Sequence, residues 1–442
     1  MRRPGSAMLL MLLAASCAPA PVPPAPDHLH YRITASVEPA DHFVQAYVDL
    51  SFRSPVADFR AADFLLHRSL EVRTVTGPGV AGFRVDTSEV SAPPWIPDAA
   101  RLEVSFSAPL DSGAVVPIHI EYAGVIDSWP SWSANVVTEE WIELGLYFPW
   151  FPSGGEAYGP FSFEIDARFP AGYRVGGWGR PRRSGTRWHL GQDHPVTDIV
   201  VLASKDLHTR RFSSEGRTVW VHYVTLTDST AADLAAEVLS TLQTLEGWYG
   251  PGGGQEVTLA ESRREAGGGY AREGLLVLGD LARRSSPEEL PNLLRYLAHE
   301  TAHFWWTRAP AGSWEDWLNE SFAEYSALLV LRQRLGEAEF EERMARKEKA
   351  AEGAPPIWGF DRTADDAAVV LYDAGPVLLN RLSERIARPR FLEWCRALAK
   401  RKVRSTAEAL AVLREREGEE VATWLESRLK GGTELDAPVR AR

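Results

Sequence analysis

The sequence predicts an α+β protein of two domains, an all-β saddle or sandwich followed by a mainly helical domain. Three observations carry this. From 27 to 206 apolar residues alternate with polar ones and no helical periodicity appears. From 207 to 442 long segments repeat at the helical period. One of those segments carries the pattern His299-Glu300-Thr301-Ala302-His303.

The 442 residues suffice for two cores, and the hydrophobic content of 45% with 24% charged residues is ordinary for a globular chain. The formal charge of −12 argues against nucleic acid as a partner.

Residues 1–17 read as an export signal of the lipoprotein type. Arg2 and Arg3 precede a short apolar run, Met8 to Ala15, too short to span a bilayer. Leu13-Ala14-Ala15-Ser16-Cys17 resembles a bacterial lipoprotein box, with Ala14 where Leu is usual. That resemblance implies cleavage before Cys17, its acylation, and an exported protein anchored to a membrane of the cell envelope. With Cys17 on lipid only Cys395 remains, so no intramolecular disulfide is expected. Residues 18–26, rich in Pro, form a semi-rigid extended tether.

In the β domain (27–206), strands are predicted at Tyr31 to Val37, Phe43 to Phe52, Arg101 to Phe106, Val115 to Tyr122, Phe161 to Phe169, Thr186 to Leu190 and Asp198 to Ala203. Turns such as Thr76-Gly77-Pro78-Gly79 and Ala92-Pro93-Pro94 separate them. Trp129, Trp132, Trp141 and Trp150 read as packing residues.

In the second domain (207–442), strands are expected at Thr218 to Leu226, Glu256 to Ala260 and Gly274 to Leu278. Helices are expected from Asp228 or Ser229 to Trp248, from Ser286-Pro287 through the His pair, and from Trp314 to Leu335. Four more follow, at Glu337 to Ala350, Asp365 to Ile386, Pro389 to Lys400 and Thr406 to Lys430.

Helical geometry turns the pattern at 299–303 into a chemical expectation. Residues four apart lie one turn apart on one face, so His299 and His303 can close on one metal ion. Glu300 lies beside them, placed to take a proton from a water on that metal. The flanks Leu293, Leu294, Leu297, Ala298, Ala302, Phe304, Trp305 and Trp306 are apolar, so this helix is buried. A buried Glu between two His is costly unless a cation satisfies it. The ion expected is Zn²⁺, with Glu320 as third ligand.

With these pieces placed, the chain resembles the aminopeptidase-N-like gluzincin zinc peptidases, the family that includes leukotriene hydrolases. Trp317-Leu318-Asn319-Glu320-Ser321-Phe322-Ala323 matches the family's ligand-bearing stretch except at Ser321, and the sixteen residues from Phe304 to Asn319 make a spacer two shorter than usual. Leu371-Tyr372-Asp373-Ala374-Gly375 is like the family's Tyr segment, with Ala374 in place of Lys. Tyr147-Phe148-Pro149-Trp150-Phe151-Pro152 echoes a Pro-rich segment of the family. The resemblance implies a β-saddle domain joined to a thermolysin-like catalytic domain, with His299, His303 and Glu320 on one Zn²⁺, Glu300 as general base and Tyr372 as hydrogen-bond donor to the oxyanion. Asn319 and Glu324 are candidates for supporting those ligands. It further implies a peptide substrate, and a more open cleft because the family's C-terminal helical domain has no counterpart.

One segment departs from the pattern. Gly268-Gly269-Tyr270-Ala271-Arg272-Glu273-Gly274-Leu275 aligns with the family's substrate-binding strand, whose Glu binds the free α-amine, and that position is Ala271. Glu273 lies about 7 Å further along, too far to substitute. Gly268, Gly269 and Tyr270 are the candidate substrate-binding residues, suited to pairing with an extended peptide. Two alternatives to an aminopeptidase therefore stand: an endo- or oligopeptidase of the same fold, or a catalytically silent anchored binding protein. The second would be expected to have a broken site, whereas all five core residues are present. A monomer is the default oligomeric state.

Overall fold

The structure is a computed structural model that describes residues 28–87, 96, 98–129, 135–264 and 268–432. The leader with Cys17, the tether, the Ala92-Pro93-Pro94 turn and Trp132 lie outside the described residues.

The first half is built from strands. A seven-stranded sheet runs in the order Arg182–Ser184, Arg187–Val196, Phe161–Arg168, Leu29–Glu38, Phe43–Arg53, Val115–Val125 and Glu71–Thr76. All its neighbours are antiparallel except Leu29–Glu38 with Phe161–Arg168. Three strands, Phe59–His67, Ala99–Leu110 and Val80–Asp86, make a second sheet, and four short ones a third that contains Ile142–Leu144. The alternating residues read from the sequence point inward, as in Tyr31, Ile33, Ala35 and Val37. Trp150 is fully buried and donates to the Ile199 carbonyl at 3.0 Å. The strands Phe59–His67, Glu71–Thr76 and Val80–Asp86 go beyond those expected. Their Arg, Asp and Ala content and half-exposed faces hide the alternation.

The second half opens with a five-stranded sheet in the order His208–Ser214, Arg217–Tyr223, Glu256–Ser262, Leu275–Gly279 and Gly269–Arg272. Its three central strands are parallel and both outer strands antiparallel. One face, with Val219, Val221, Val257, Leu259, Leu276 and Leu278, packs on the helices. The other, with Ala260, Tyr270, Leu275 and Val277, joins the core of the β domain. The sheet is thus shared between two hydrophobic cores.

Helix ends differ from the sequence reading in ways that hydrogen bonds explain. The helix Asp228–Tyr249 is capped by Thr227, whose side chain accepts from the Thr230 amide. Pro287–Glu289 forms a 3₁₀ turn without a Ser286 cap, and the helix proper is Leu290–Ala302. The expected last helix is two, Thr406–Glu417 and Glu419–Leu429, because Gly418 takes a φ of 93°. Asp365 to Ile386 is interrupted by a π turn at Val370–Ala374, ahead of the helix Gly375–Ile386. Among the described residues no helix is long and apolar enough to cross a membrane.

Candidate active site

Two packed helices set the geometry. The histidine helix, Leu290–Ala302, buries Leu293, Leu297, Ala298 and Ala302 against the apolar core, and His303 caps its end. The Glu320 helix, Trp317–Leu335, is buried along nearly all its length. Between them the shortened loop is held by Asn319. Its side chain bonds the Ala309 amide at 3.1 Å, the Ala309 carbonyl at 3.0 Å and Asp316 at 2.9 Å.

The two helices bring His299, His303 and Glu320 together. The Nε2 atoms of the two His lie 3.2 Å apart, and Glu320 Oε2 lies 3.4 Å from one and 3.6 Å from the other. A tetrahedral zinc with bonds of about 2.0–2.1 Å has donor-to-donor edges of about 3.3 Å. The triangle therefore matches one face of a zinc tetrahedron and leaves the fourth corner open.

The other ring nitrogens fix the tautomers. His303 Nδ1 donates to the Trp306 carbonyl at 2.8 Å and His299 Nδ1 to Glu324 at 3.0 Å, so in the neutral imidazoles that a metal would select, each Nε2 lone pair faces the centre of the triangle. Glu324 is fully buried and also meets Arg295 at 2.6 Å and Lys347 at 2.7 Å. Burial opposes its ionisation, yet these three partners hold its carboxyl far below the usual range. The donor set itself draws positive charge. Burial disfavours a charged His299, but bonds to Glu320 and Glu324 push its pKa to about 10.

Glu300 is buried one position round the helix and lines the same cavity, of about 660 Å³. Desolvation raises its pKa, while His299 and His303 pull the other way. A carboxylate with a raised pKa is suited to taking and returning a proton.

Tyr372 stands on the π turn, its ring 5.8 Å from that of His299 and its hydroxyl bonded to Glu320. Burial and the Glu320 charge raise the phenol pKa well above its ordinary value, so the group stays a proton donor. The turn creates a local problem. The Gly375 amide bonds back to the Val370 carbonyl, and residue 376 is Pro, so the Leu371 carbonyl has no donor from either the α or the π pattern. Ser321, next to Glu320, fills that gap with a 2.7 Å bond from its hydroxyl. Lys347 likewise donates to the Tyr372 carbonyl at 2.6 Å. Only glycine fits at 375, because a Cβ there would lie 1.9 Å from Ser321 Oγ. The Ser321 hydroxyl is thus a side-chain donor to the backbone that ties the Tyr372 turn to the helix of Glu320.

Among the described residues the edge strand Gly269–Arg272 pairs on one side only, leaving its other edge at the cleft. Gly268 and Gly269 line the cavity. A Cβ at Gly269 would lie 2.5 Å from the Tyr296 hydroxyl, so the strand can sit this close to the histidine helix only as glycine. Ala271 packs on the helical core, and no carboxylate occupies its position. Tyr270 corrects the expectation of substrate contact. It is buried on the β-domain side and donates to Glu143 at 3.0 Å. Strand alternation sends Arg272 to that side too, where it pairs with the buried Asp198 at 2.8 Å. The Glu273 carboxylate accepts from the Thr197 amide and hydroxyl, both at 3.1 Å. Lys347, Arg295 and Arg264 enter the site without a signal in the sequence, since only tertiary packing brings them there.

No protein-family model matches the chain, and no curated protein matches it. Solved structures do. The M1 zinc metallopeptidase of Deinococcus radiodurans superposes with a TM-score of 0.69 at 19% identity, covering 94% of this chain and 96% of that one. A point variant of it matches with a TM-score of 0.70 at 19% identity, over 93% and 96% of the two chains. The variant bound to a Tyr-Ser-Ala substrate gives 0.68 at 18%, over 94% and 96%. At such low identity what is shared is architecture, and the chain has the two-domain fold of the M1 zinc metallopeptidases.

Proposed function

We propose that this protein is a zinc-dependent peptide hydrolase. The observation that carries the reading is the triangle of His299, His303 and Glu320 donor atoms, 3.2 to 3.6 Å on edge, on the fold of zinc metallopeptidases. A zinc ion there supplies Lewis acidity and makes water a nucleophile near neutral pH. Glu300 takes the proton of the attacking water and passes it to the leaving amine. Tyr372 donates its phenol hydrogen bond to the developing oxyanion. Glu324 holds His299 in the tautomer that presents Nε2. The similar structure bound to Tyr-Ser-Ala supports a peptide as substrate. Removal of metal by a chelator abolishes turnover of a peptide library, and one equivalent of zinc restores it. Turnover that survives chelation would overturn the reading.

A second reading concerns which peptides. Ala271 leaves the α-amine without a carboxylate, which favours an endo- or oligopeptidase over an aminopeptidase. N-acetylated and free-amine forms of one peptide are then cleaved at similar rates, and strict dependence on the free amine would reverse this. For location, the Leu13 to Cys17 segment supports an exported protein anchored by lipid at Cys17. Labelling by a radioactive fatty acid, lost in Cys17→Ala, tests it, and unlabelled soluble protein would contradict it.

A further inference from the structure

We propose that the cavity beside the histidine pair contains a carboxylate-binding subsite anchored by Arg264, so that substrate peptides are held through a carboxylate rather than through the α-amine. The inference rests on the peptidase reading and adds the class of group that is recognised.

The cavity is cationic in a chain of net charge −12. Its wall includes Arg264, Arg295, Arg343, Arg346 and Lys347. Four of the five are committed. Arg295 and Lys347 are bound to Glu324, Arg343 meets Glu339 at 2.6 Å and Arg346 meets Glu342 at 3.5 Å. Arg264 differs. Its Nε is buried without a hydrogen-bond partner, and it makes no ion pair among the described residues. The groups it acts on are Tyr296 and Glu143. Glu143 is fully buried and already accepts from Trp141, Ser262 and Tyr270. A half-buried guanidinium without an ion pair among the described residues is costly, and its planar fork suits a carboxylate in bidentate fashion.

Position adds to charge. A Cβ at Gly268 would lie 3.5 Å from Arg264 Nη1, so the guanidinium lies against the start of the edge strand. A peptide pairing with that strand passes directly beside it. The cavity's own carboxylates leave nothing for an amine. Glu300 is kept for proton transfer, Glu324 is paired with His299, Arg295 and Lys347, and Asp373 lies 3.4 Å from Lys347. Among the described residues the cleft thus has a cation without an ion pair and no carboxylate left for an amine.

The carboxylate can come from the peptide C-terminus or from an acidic side chain, and one set of probes separates the two. Zinc-loaded Glu300→Gln protein is titrated in a calorimeter with tetra-alanine as free acid and as C-terminal amide. Amidated tetrapeptides carrying Glu or Gln at each position in turn complete the set. The free acid, or the Glu peptide at one position, binds roughly tenfold or more tighter than its neutral match. Arg264→Met removes that difference and leaves the neutral peptides unchanged, and Arg264→Lys restores part of it. A preference for the free acid assigns the subsite to the C-terminus, and a preference for one Glu peptide to a side chain. Equal binding of charged and neutral peptides overturns the subsite, as does a difference that persists in Arg264→Met or no binding of any carboxylate probe. The peptidase reading fails separately, if the wild-type protein cleaves none of these peptides.

Discussion

The cleft has two walls built on different principles. The histidine helix and the Glu320 helix form one wall, in which His299, Glu320, Glu324, Lys347 and Tyr372 are linked by short polar contacts within the helical domain. The edge strand forms the other. It is held from behind by the β domain, through Tyr270 on Glu143, Arg272 on Asp198 and Thr197 on Glu273. The first wall carries the groups that the proposed hydrolysis would use, His299, His303, Glu320, Glu300 and Tyr372. The second carries Ala271 where the family resemblance leads one to expect an amine-binding carboxylate, yet is firmly anchored. The proposed chemistry and the proposed specificity therefore fall on separate pieces of the chain, and each can be altered by itself.

Substitutions that act on one wall alone can sharpen or break this contrast. The largest effect is expected at Tyr372→Phe. Loss of one oxyanion donor lowers kcat by about 10²–10³ with zinc content unchanged. A matching loss of zinc would show that Tyr372 acts through Glu320 instead. Glu324→Gln weakens the hold on His299 and lowers zinc affinity by about 10–100-fold, measured by competition with a chelator. Unchanged affinity would remove Glu324 from the metal-holding wall.

The seam behind the second wall responds to pH. His222, fully buried, donates from Nε2 to the Gly177 and Gly179 carbonyls, and burial lowers its pKa to about 4. Burial does the same to His67 in the β domain, also to about 4. The unfolded chain takes up these protons near pH 6.5 while the folded chain resists until about pH 4. Stability is therefore full above pH 6.5 and falls across that window, by on the order of 3 kcal/mol for each group, of which about 2 kcal/mol is lost by pH 5. Denaturant melts at pH 7 and pH 5 measure it, and a stability that does not fall at pH 5 would contradict the assignment.

Smaller effects come next. Ser321→Ala leaves the Leu371 carbonyl without a donor, which costs about 1 kcal/mol or more of stability and about tenfold in kcat. Ser321→Thr, which keeps the hydroxyl, retains more of both. The smallest change is expected from Ala271→Glu. A new carboxylate on the second wall raises the ratio of free-amine to N-acetyl turnover by about a fewfold, with Zn²⁺ content untouched. No change in that ratio would mean that position 271 does not face the substrate amine.

The sequence made some of this legible and not the rest, for physical reasons. His299, Glu300 and His303 are a local motif, readable because helical spacing alone brings them together. Glu320 and Tyr372 came from stretches with a family pattern. Lys347 sits in Glu337–Ala350, a helix so rich in charge that it reads as a solvated face, yet its ammonium is nearly buried between Glu324 and the Tyr372 carbonyl. The π turn leaves no trace in propensity. Gly375-Pro376 marks it only once the missing amide at 376 is counted against the Leu371 carbonyl. Alternation says that neighbours face opposite sides but not which side is the cleft, so the sequence does not reveal that Tyr270 turns to Glu143. The strand His208–Ser214 escaped notice because four of its seven residues are Arg or Ser and all lie at the sheet's exposed edge.

The central claim is that one helix pair holds zinc while Glu300 moves the proton. The most direct measurement compares zinc stoichiometry and peptide turnover in the wild-type protein and in Glu300→Gln. One zinc per chain is expected in both, with turnover of a cleaved library peptide at least about 10²-fold lower in the variant. Equal turnover in the two proteins, or zinc lost along with the activity, would contradict it.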